Sequence, residues 1–209
     1  TGVNNTLIGG LAGDAITTGG SNTAVGQASL TTLTTASFNT AMGLNSGLAL
    51  TTGADNTLIG VSSGASLTTG TLNVALGRNA LSSGAATNKN VAIGNNTLQS
   101  VSASSNVDSF NTAVGFSAGG AVTTGGQNTL IGGLAGDALT TASENTAVGY
   151  LALSSEDANG LNTALGNRTL ATLNAGANGY NVAVGHYAGT AMTTGTNNTL
   201  IGGLAGDAI

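Results

Sequence analysis

The twelve residues "NTLIGGLAGDAI" at Asn5–Ile16 return letter for letter at Asn198–Ile209, and again at Asn128–Leu139 with only the last residue changed. Repetition of this kind constrains a fold severely. Every copy must satisfy the same local geometry, and stacked identical units are the simplest way to do so. A shorter word, Asn-[Thr/Val]-[Ala/Leu]-aliphatic-Gly, begins at Asn5, Asn22, Asn39, Asn56, Asn73, Asn90, Asn111, Asn128, Asn145, Asn162, Asn181 and Asn198. Successive copies lie 17 residues apart, except for 21 after Asn90 and 19 after Asn162. Counting from this Asn, position 1 is always Asn, position 4 always Ile, Val, Leu or Met, position 5 always Gly, and position 8 always Ala, Ser or Thr. A Thr-Thr pair usually follows, as at Thr17–Thr18, Thr51–Thr52 and Thr193–Thr194. Residues 1–209 therefore read as a single repeat array, and since the sequence starts and stops inside it, a longer natural array is expected. Units ending in Phe38, Phe110 and Tyr180, which include both long ones, suggest duplication of blocks of units.

A 17-residue unit is too short for a helical-hairpin repeat, which needs about 34 residues. Glycine at this density (35 residues) opposes helix, at about 1 kcal/mol for each interior position. The intervening Thr, Val, Ile and Leu are strand-compatible. The pattern predicts an all-β chain: a parallel β-solenoid, or β-roll, of about twelve rungs. Each rung is expected to hold two short strands, one at "NTAVG" and one near positions 8–14, such as Ala118–Thr124. The position-5 Gly supplies the positive φ of one turn. Gly19, Gly53, Gly70, Gly125 and Gly195 mark the other. Stacked position-1 amides are expected to donate to one neighbour and accept from the next, forming a ladder. Phe38, Phe110 and Tyr180 are expected to plug a corner of the coil.

Side chains alternate faces along a strand. The first strand is aliphatic at position 4 and Ala or Leu at position 3, hence apolar on both faces, as in sheets buried on both sides. One face can fill the coil. Position 3 is then left to be covered by another copy of the chain, and a homotrimer is expected. Charges keep to the edges: Asp14, Asp137 and Asp207 at position 10; Asp55, Lys89 and Glu144 at position 17; Arg78 just after the turn Gly and Arg168 one further on. Asp108 falls in the longer insertion, and Glu156 with Asp157 interrupts one expected second strand.

Composition narrows the function. Only 5% of residues are charged, against roughly a quarter in ordinary domains. Aromatics are 3%, too few for a conventional core of this size. Yet 40% of residues are hydrophobic, which excludes disorder. The net charge of −5 offers no basic patch, so nucleic acid is not an expected partner. No run of about 18 apolar residues predicts membrane insertion. There is no Cys for a disulfide or a thiolate metal site.

At Asn111–Gly132, "NTAVGFSAGGAVTTGGQNTLIG" resembles the arrays of phage tail-fibre and bacterial surface-fibre proteins. It is also similar to the head repeats of trimeric autotransporter adhesins, in which an "AxG" word recurs on a parallel β-roll. The resemblance covers essentially the whole chain. It implies a homotrimeric extracellular fibre on a virion (as a tail fibre) or a bacterial surface, serving attachment or adhesion.

No catalytic, cofactor or metal site is expected, and the chain does not read as an enzyme. The lone His186 has no carboxylate or nucleophile beside it in the sequence and reads as a surface turn residue. The Asp of "GGLAGD" occurs in only three distant units, unlike calcium-binding β-rolls with an Asp in each repeat. The Gly-rich turns lack the Lys-Ser/Thr of a phosphate loop. Arg78, Phe116, Tyr150, His186 and Tyr187, all just past the turn Gly, form the candidate contact edge for a cell-surface receptor or glycan. The plainer reading, solvated turns on a passive shaft, is preferred for these residues. The leading expectation is a structural shaft segment of a trimeric fibre. The alternative is a single-chain solenoid that binds ice through arrayed Thr, although position 2 becomes Val in three units.

Overall fold

The computed structural model describes residues 2–102, 107–156 and 158–207. These form an all-β parallel β-solenoid of about eleven turns, with no helix among the described residues. Two compact units are resolved, Thr1–Ser109 and Phe110–Ile209. In the first, β1 (Thr6–Ile8), β2 (Thr23–Val25), β3 (Thr40–Met42), β4 (Thr57–Ile59), β5 (Val74–Leu76) and β7 (Val91–Ile93) pair in sequence order. Two further segments, β6 (Thr87–Asn88) and β8 (Val107–Asp108), pair only with each other. In the second unit, β9 (Thr112–Val114), β10 (Thr129–Ile131), β11 (Thr146–Val148), β12 (Thr163–Leu165), β13 (Val182–Val184) and β14 (Thr199–Ile201) pair in the same way. All pairs are parallel, and those of the main strands are in phase with the repeat, for example Thr6↔Thr23, Ala24↔Ala41 and Thr129↔Thr146.

The second strand expected at positions 8–14 does not form. Ala118–Ala121 are in turns and Thr123–Thr124 in a bend. The reason is a run of left-handed residues. Position 7 has positive φ in all twelve coils, as at Leu11 (61°) and Arg168 (52°). So does position 9, whether it is Gly64 (58°) or Leu81 (50°). A third left-handed residue precedes every ladder Asn, as at Phe38 (63°) and Asp55 (59°). Non-glycine residues pay roughly 1–2 kcal/mol for this conformation. The offset is hydrogen bonding between coils, because the amides of these residues still donate to a neighbouring coil. Leu30 N donates to Ser46 O (3.0 Å), Asn45 N to Gln27 O (3.0 Å) and Phe38 N to Gly20 O (3.2 Å). The position-5 Gly adopts φ between 126° and 139°, open only to glycine, and a Cβ at Gly26 would lie 2.6 Å from Gly43 O.

The interior differs from the sequence expectation in a second way. The Asn side chain at position 1 is buried, and strand parity then turns position 3 inward with it. Ala24, Ala41, Leu58, Ala113, Leu130 and Ala183 are completely buried within the chain's own coil. Position 3 thus needs no second chain. Positions 2 and 4 face outward instead: Ile8 is 59% and Ile131 39% exposed.

Position 3 is packed against position 9, and the two never both carry Leu. Leu58 and Leu130 sit in coils with Gly64 and Gly136; Leu30, Leu81, Leu98, Leu153 and Leu170 sit in coils with Ala at position 3. A Cβ at Gly64 would lie 2.8 Å from Leu58 Cδ2, and one at Gly136 2.8 Å from Leu130 Cδ2. Further apolar residues at position 12 (Leu33, Leu50, Leu67, Val122, Leu139, Leu173) complete this narrow core. It holds no aromatic ring. Phe38, Phe110 and Tyr180 do not plug a corner: they are 64%, 49% and 56% exposed. The left-handed residue before each Asn turns its side chain away from the coil, and no ring fits the Ala/Leu/Gly interior.

Candidate functional site

The interior ladder Asn residues Asn22 and Asn128 use their full hydrogen-bonding capacity. Asn22 Oδ1 accepts from Asn39 N (3.0 Å) and Asn39 Nδ2 (3.3 Å). Asn22 Nδ2 donates to Asn5 Oδ1 (3.2 Å) and to Ala36 O (3.0 Å) on the far side of its own coil. Asn128 repeats the pattern with Asn111, Asn145 and Ala142 O. The side-chain bonds continue through Asn56, Asn73 and Asn90 in the first unit and through Asn162, Asn181 and Asn198 in the second. Sequence spacing indicated bonding between coils. It gave no sign of the bond to the position-15 carbonyl, which closes the regular coils such as those of Asn22, Asn56 and Asn128. Asn supplies two donors and two lone pairs on one short planar group, and this site uses all four. Position-8 hydroxyls add a lesser file, with Ser29 Oγ donating to Ala41 O (3.1 Å) and Ser63 Oγ to Ala75 O (2.8 Å).

The charge map needs one correction. Glu156 is not at a solvated edge but fully buried, in the position-12 slot that Leu fills in neighbouring coils. Its carboxylate accepts from Asn159 N (3.3 Å), Asn159 Nδ2 (3.1 Å) and Ala175 N (3.3 Å). Asp157, expected to act with it, lies outside the described residues. Asp137 is half-buried, and its Oδ1 has no hydrogen-bond partner. Burial pushes this carboxyl above its ordinary value. Asp108 is held below its ordinary value, chiefly by its hydrogen bond from Lys89.

Of the five candidate contact residues, Arg78 belongs to the first unit and Phe116, Tyr150, His186 and Tyr187 to the second. Arg78, Phe116, Tyr150 and His186 are exposed and Tyr187 is half-buried. The His186 and Tyr187 rings lie 4.3 Å apart at 59°. Arg168, which the sequence reading left off this edge, places Cζ 5.9 Å from the centre of the Tyr187 ring. Its position-7 spacing, one coil before Tyr187, was the available signal. A cleft of about 330 Å³ is lined by Met192, Thr193, Thr194, Gly195 and Asn198, none of them ionisable. Among the described residues, no three His, Asp or Glu side chains are grouped to hold a metal. No described helix is long and apolar enough to cross a membrane.

The fold defines the chain as a β-solenoid repeat protein. Comparison with known proteins adds no relative: no family model, no curated protein and no solved structure matches it.

Proposed function

We propose that the chain is a structural segment of an extracellular homotrimeric fibre used for attachment, in which copies pack through the outward face of the parallel sheet. The observation that carries this reading is the unbroken aliphatic file at position 4. It runs through Ile8, Val25, Met42, Ile59, Leu76 and Ile93 in the first unit, and Val114, Ile131, Val148, Leu165, Val184 and Ile201 in the second. Every one of these side chains is at least partly exposed. Fully burying such a side chain yields about 1.5–3 kcal/mol. Covering six half-exposed ones therefore yields about 5–9 kcal/mol, while association costs about 4–15 kcal/mol. The gain from one unit's file is thus of the same order as that cost. The role is mechanical rather than catalytic, and the place is a virion or bacterial surface.

Sedimentation equilibrium tests it. The expected mass is three times 19.8 kDa, and Ile131→Lys with Val148→Lys should return the protein to a monomer. A monomeric parent at tens-of-micromolar concentration, roughly where weak self-association is still populated, would overturn the reading.

A second reading rests on the same face. The position-2 file holds Thr6, Thr23, Thr40 and Thr57 in the first unit, and Thr112, Thr129, Thr146, Thr163 and Thr199 in the second. With the aliphatic file beside it, this makes a flat two-row surface of the kind that could order water as ice. Val74, Val91 and Val182 interrupt the Thr row, and Met42 and Leu76 roughen the other. Thermal hysteresis from the monomer would favour this reading. Its absence from a trimer would leave the fibre.

A further inference from the structure

We propose that the position-6 edge of the second unit is a stacking platform for an extended, neutral, β-linked glycan. The inference deepens the attachment half of the proposed function and rests on it, but not on the trimer.

The register of this edge is fixed by backbone bonds. Leu134 N donates to Phe116 O (2.9 Å), Leu151 N to Gly133 O (3.1 Å), Arg168 N to Tyr150 O (2.8 Å), Tyr187 N to Asn167 O (2.9 Å) and Leu204 N to His186 O (2.9 Å). The position-6 side chains therefore stand in one file, coil above coil. Along it, rings alternate with small residues: Phe116, Gly133, Tyr150, Asn167, His186. Rings recur every second coil, or about 9.6 Å at a strand spacing of about 4.8 Å.

Gly133 gives the Tyr150 ring room, while the His186 ring packs tilted against Tyr187. A Cβ on Gly133 would come 3.5 Å from Tyr150 Cδ2 and 3.9 Å from Cε2, so the Tyr150 ring leans over that glycine. The ring edge at Cδ2 and Cε2 lies beside Gly133, and about half of the residue stays exposed to solvent. Aromatic faces stack on flat C–H-rich surfaces, and the axial C–H face of a pyranose is such a surface. In an extended β-1,4-linked chain every second sugar presents the same face, with a repeat comparable to two coil spacings. Arg168 lies one file over, beside Tyr187. It supplies N–H donors for sugar hydroxyls at the level between Tyr150 and His186. The chain's net charge of −5 disfavours an acidic polymer, which selects a neutral one. The first unit has Gly10, Gln27, Leu44, Val61, Arg78 and Asn95 in this file, and no ring.

The test is titration of the full chain with cellohexaose by calorimetry, with maltohexaose as the curved, α-linked control. Saturable binding of cellohexaose and none of maltohexaose is expected. Tyr150→Ala should weaken binding about tenfold or more, as truncating a central contact residue does. The double variant Gly133→Tyr with Tyr150→Ala keeps the number of rings but moves one by a single coil. It should bind as weakly as Tyr150→Ala at an unchanged melting temperature. The inference is overturned by no binding of cellohexaose, by equal binding of maltohexaose, or by full binding in the shifted variant. A monomer that binds cellohexaose would sink only the trimer, and a trimer that ignores it would sink only this platform.

Discussion

The two units meet the same difficulty, a coil that is too long, in opposite ways. In the first unit, the coil that starts at Asn90 gains a second strand pairing near its end. The short strands β6 and β8 pair beyond the main sheet, Thr87 Oγ1 and Ser109 Oγ share a hydrogen bond (2.8 Å), and the Lys89–Asp108 ion pair sits in solvent. In the second unit, the coil that starts at Asn162 is secured from inside. Glu156 of the preceding coil gives up a hydrocarbon core position and uses both carboxylate oxygens to hold Asn159 and Ala175. The ladder cannot leave backbone amides unpaired in either place. The difference is where the replacement acceptor stands, and an interior acceptor carries more stability than an exposed one.

What the units share should fail alike and most severely. Asn39→Leu in the first unit and Asn128→Leu in the second each remove both amide donors and the Oδ1 acceptor from a buried site. Each leaves the adjacent ladder Asn short of a partner. Each should cost about 2–5 kcal/mol, since unsatisfied buried groups bear their full desolvation penalty. Urea unfolding followed by circular dichroism measures this. Unequal costs would show that the ladder is not the common scaffold.

The second comparison sets Gly64→Leu against the double change Leu58→Ala with Gly64→Leu. The single variant forces a second Leu into a coil whose Leu58 already fills the space, at about 1–3 kcal/mol of overpacking. The double variant copies the arrangement found with Ala75 and Leu81, and should regain most of that loss. Failure of the rescue would mean that the Ala/Leu alternation is not a packing rule.

Those two features mark what could be read in the sequence. The period, the parallel stacking and the bonding of Asn5 to Asn22 and onward were all legible, because invariance over twelve copies can only reflect contacts that every copy makes. The direction in which the strand faces was not. Positions 3 and 4 are both apolar, and only the burial of Asn22, an interior polar group, decides between them. The missing second strand was hidden for a similar reason. Leu30 and Leu81 look like strand residues, and nothing in their identity announces a φ of 50°. Glu156 looked like a surface charge because its carboxylate partners, Asn159 and Ala175, lie in an irregular part of the repeat. On the candidate edge, Phe116, Tyr150 and His186 were legible singly, while their common file depends on coil register.

The contrast between the two long coils can be broken directly. Glu156→Leu restores the hydrocarbon of the regular slot but strips the amides of Asn159 and Ala175 of their acceptor. A net loss of about 1–3 kcal/mol is expected. Glu156→Gln keeps one acceptor oxygen and should fall between. If Glu156→Leu is more stable than the parent, the carboxylate is a tolerated irregularity and not the device that secures the coil.

A smaller effect comes from Asp137, in the second unit but in a regular coil. Burial raises this carboxyl above its ordinary value of 3.8, so the folded state holds its proton more tightly than the unfolded chain. The group favours folding below that ordinary value, and the benefit disappears as pH rises through the higher folded value. At neutral pH, Asp137→Asn should therefore melt above the parent, and the gain should vanish as pH drops below about 3.8, where both carry a neutral group. A gain independent of pH would assign it to the new amide's hydrogen bonds and not to the removed charge.

The smallest effect is expected at the exposed counterpart of Glu156. Asp108 is held below its ordinary value of 3.8 by Lys89, so any contribution from the pair is present above that value and lost as pH falls through the lower folded one. Both side chains are well exposed to solvent, and salt screens such a pair. Lys89→Met should leave the urea midpoint unchanged at physiological ionic strength, and any shift at low salt should disappear on adding salt. The β6–β8 backbone pairing does not use the Lys89 ammonium and would persist. A loss as large as that of Glu156→Leu, persisting in high salt, would erase the contrast. It would show that the exposed ion pair secures the first unit's long coil as firmly as Glu156 secures the second's.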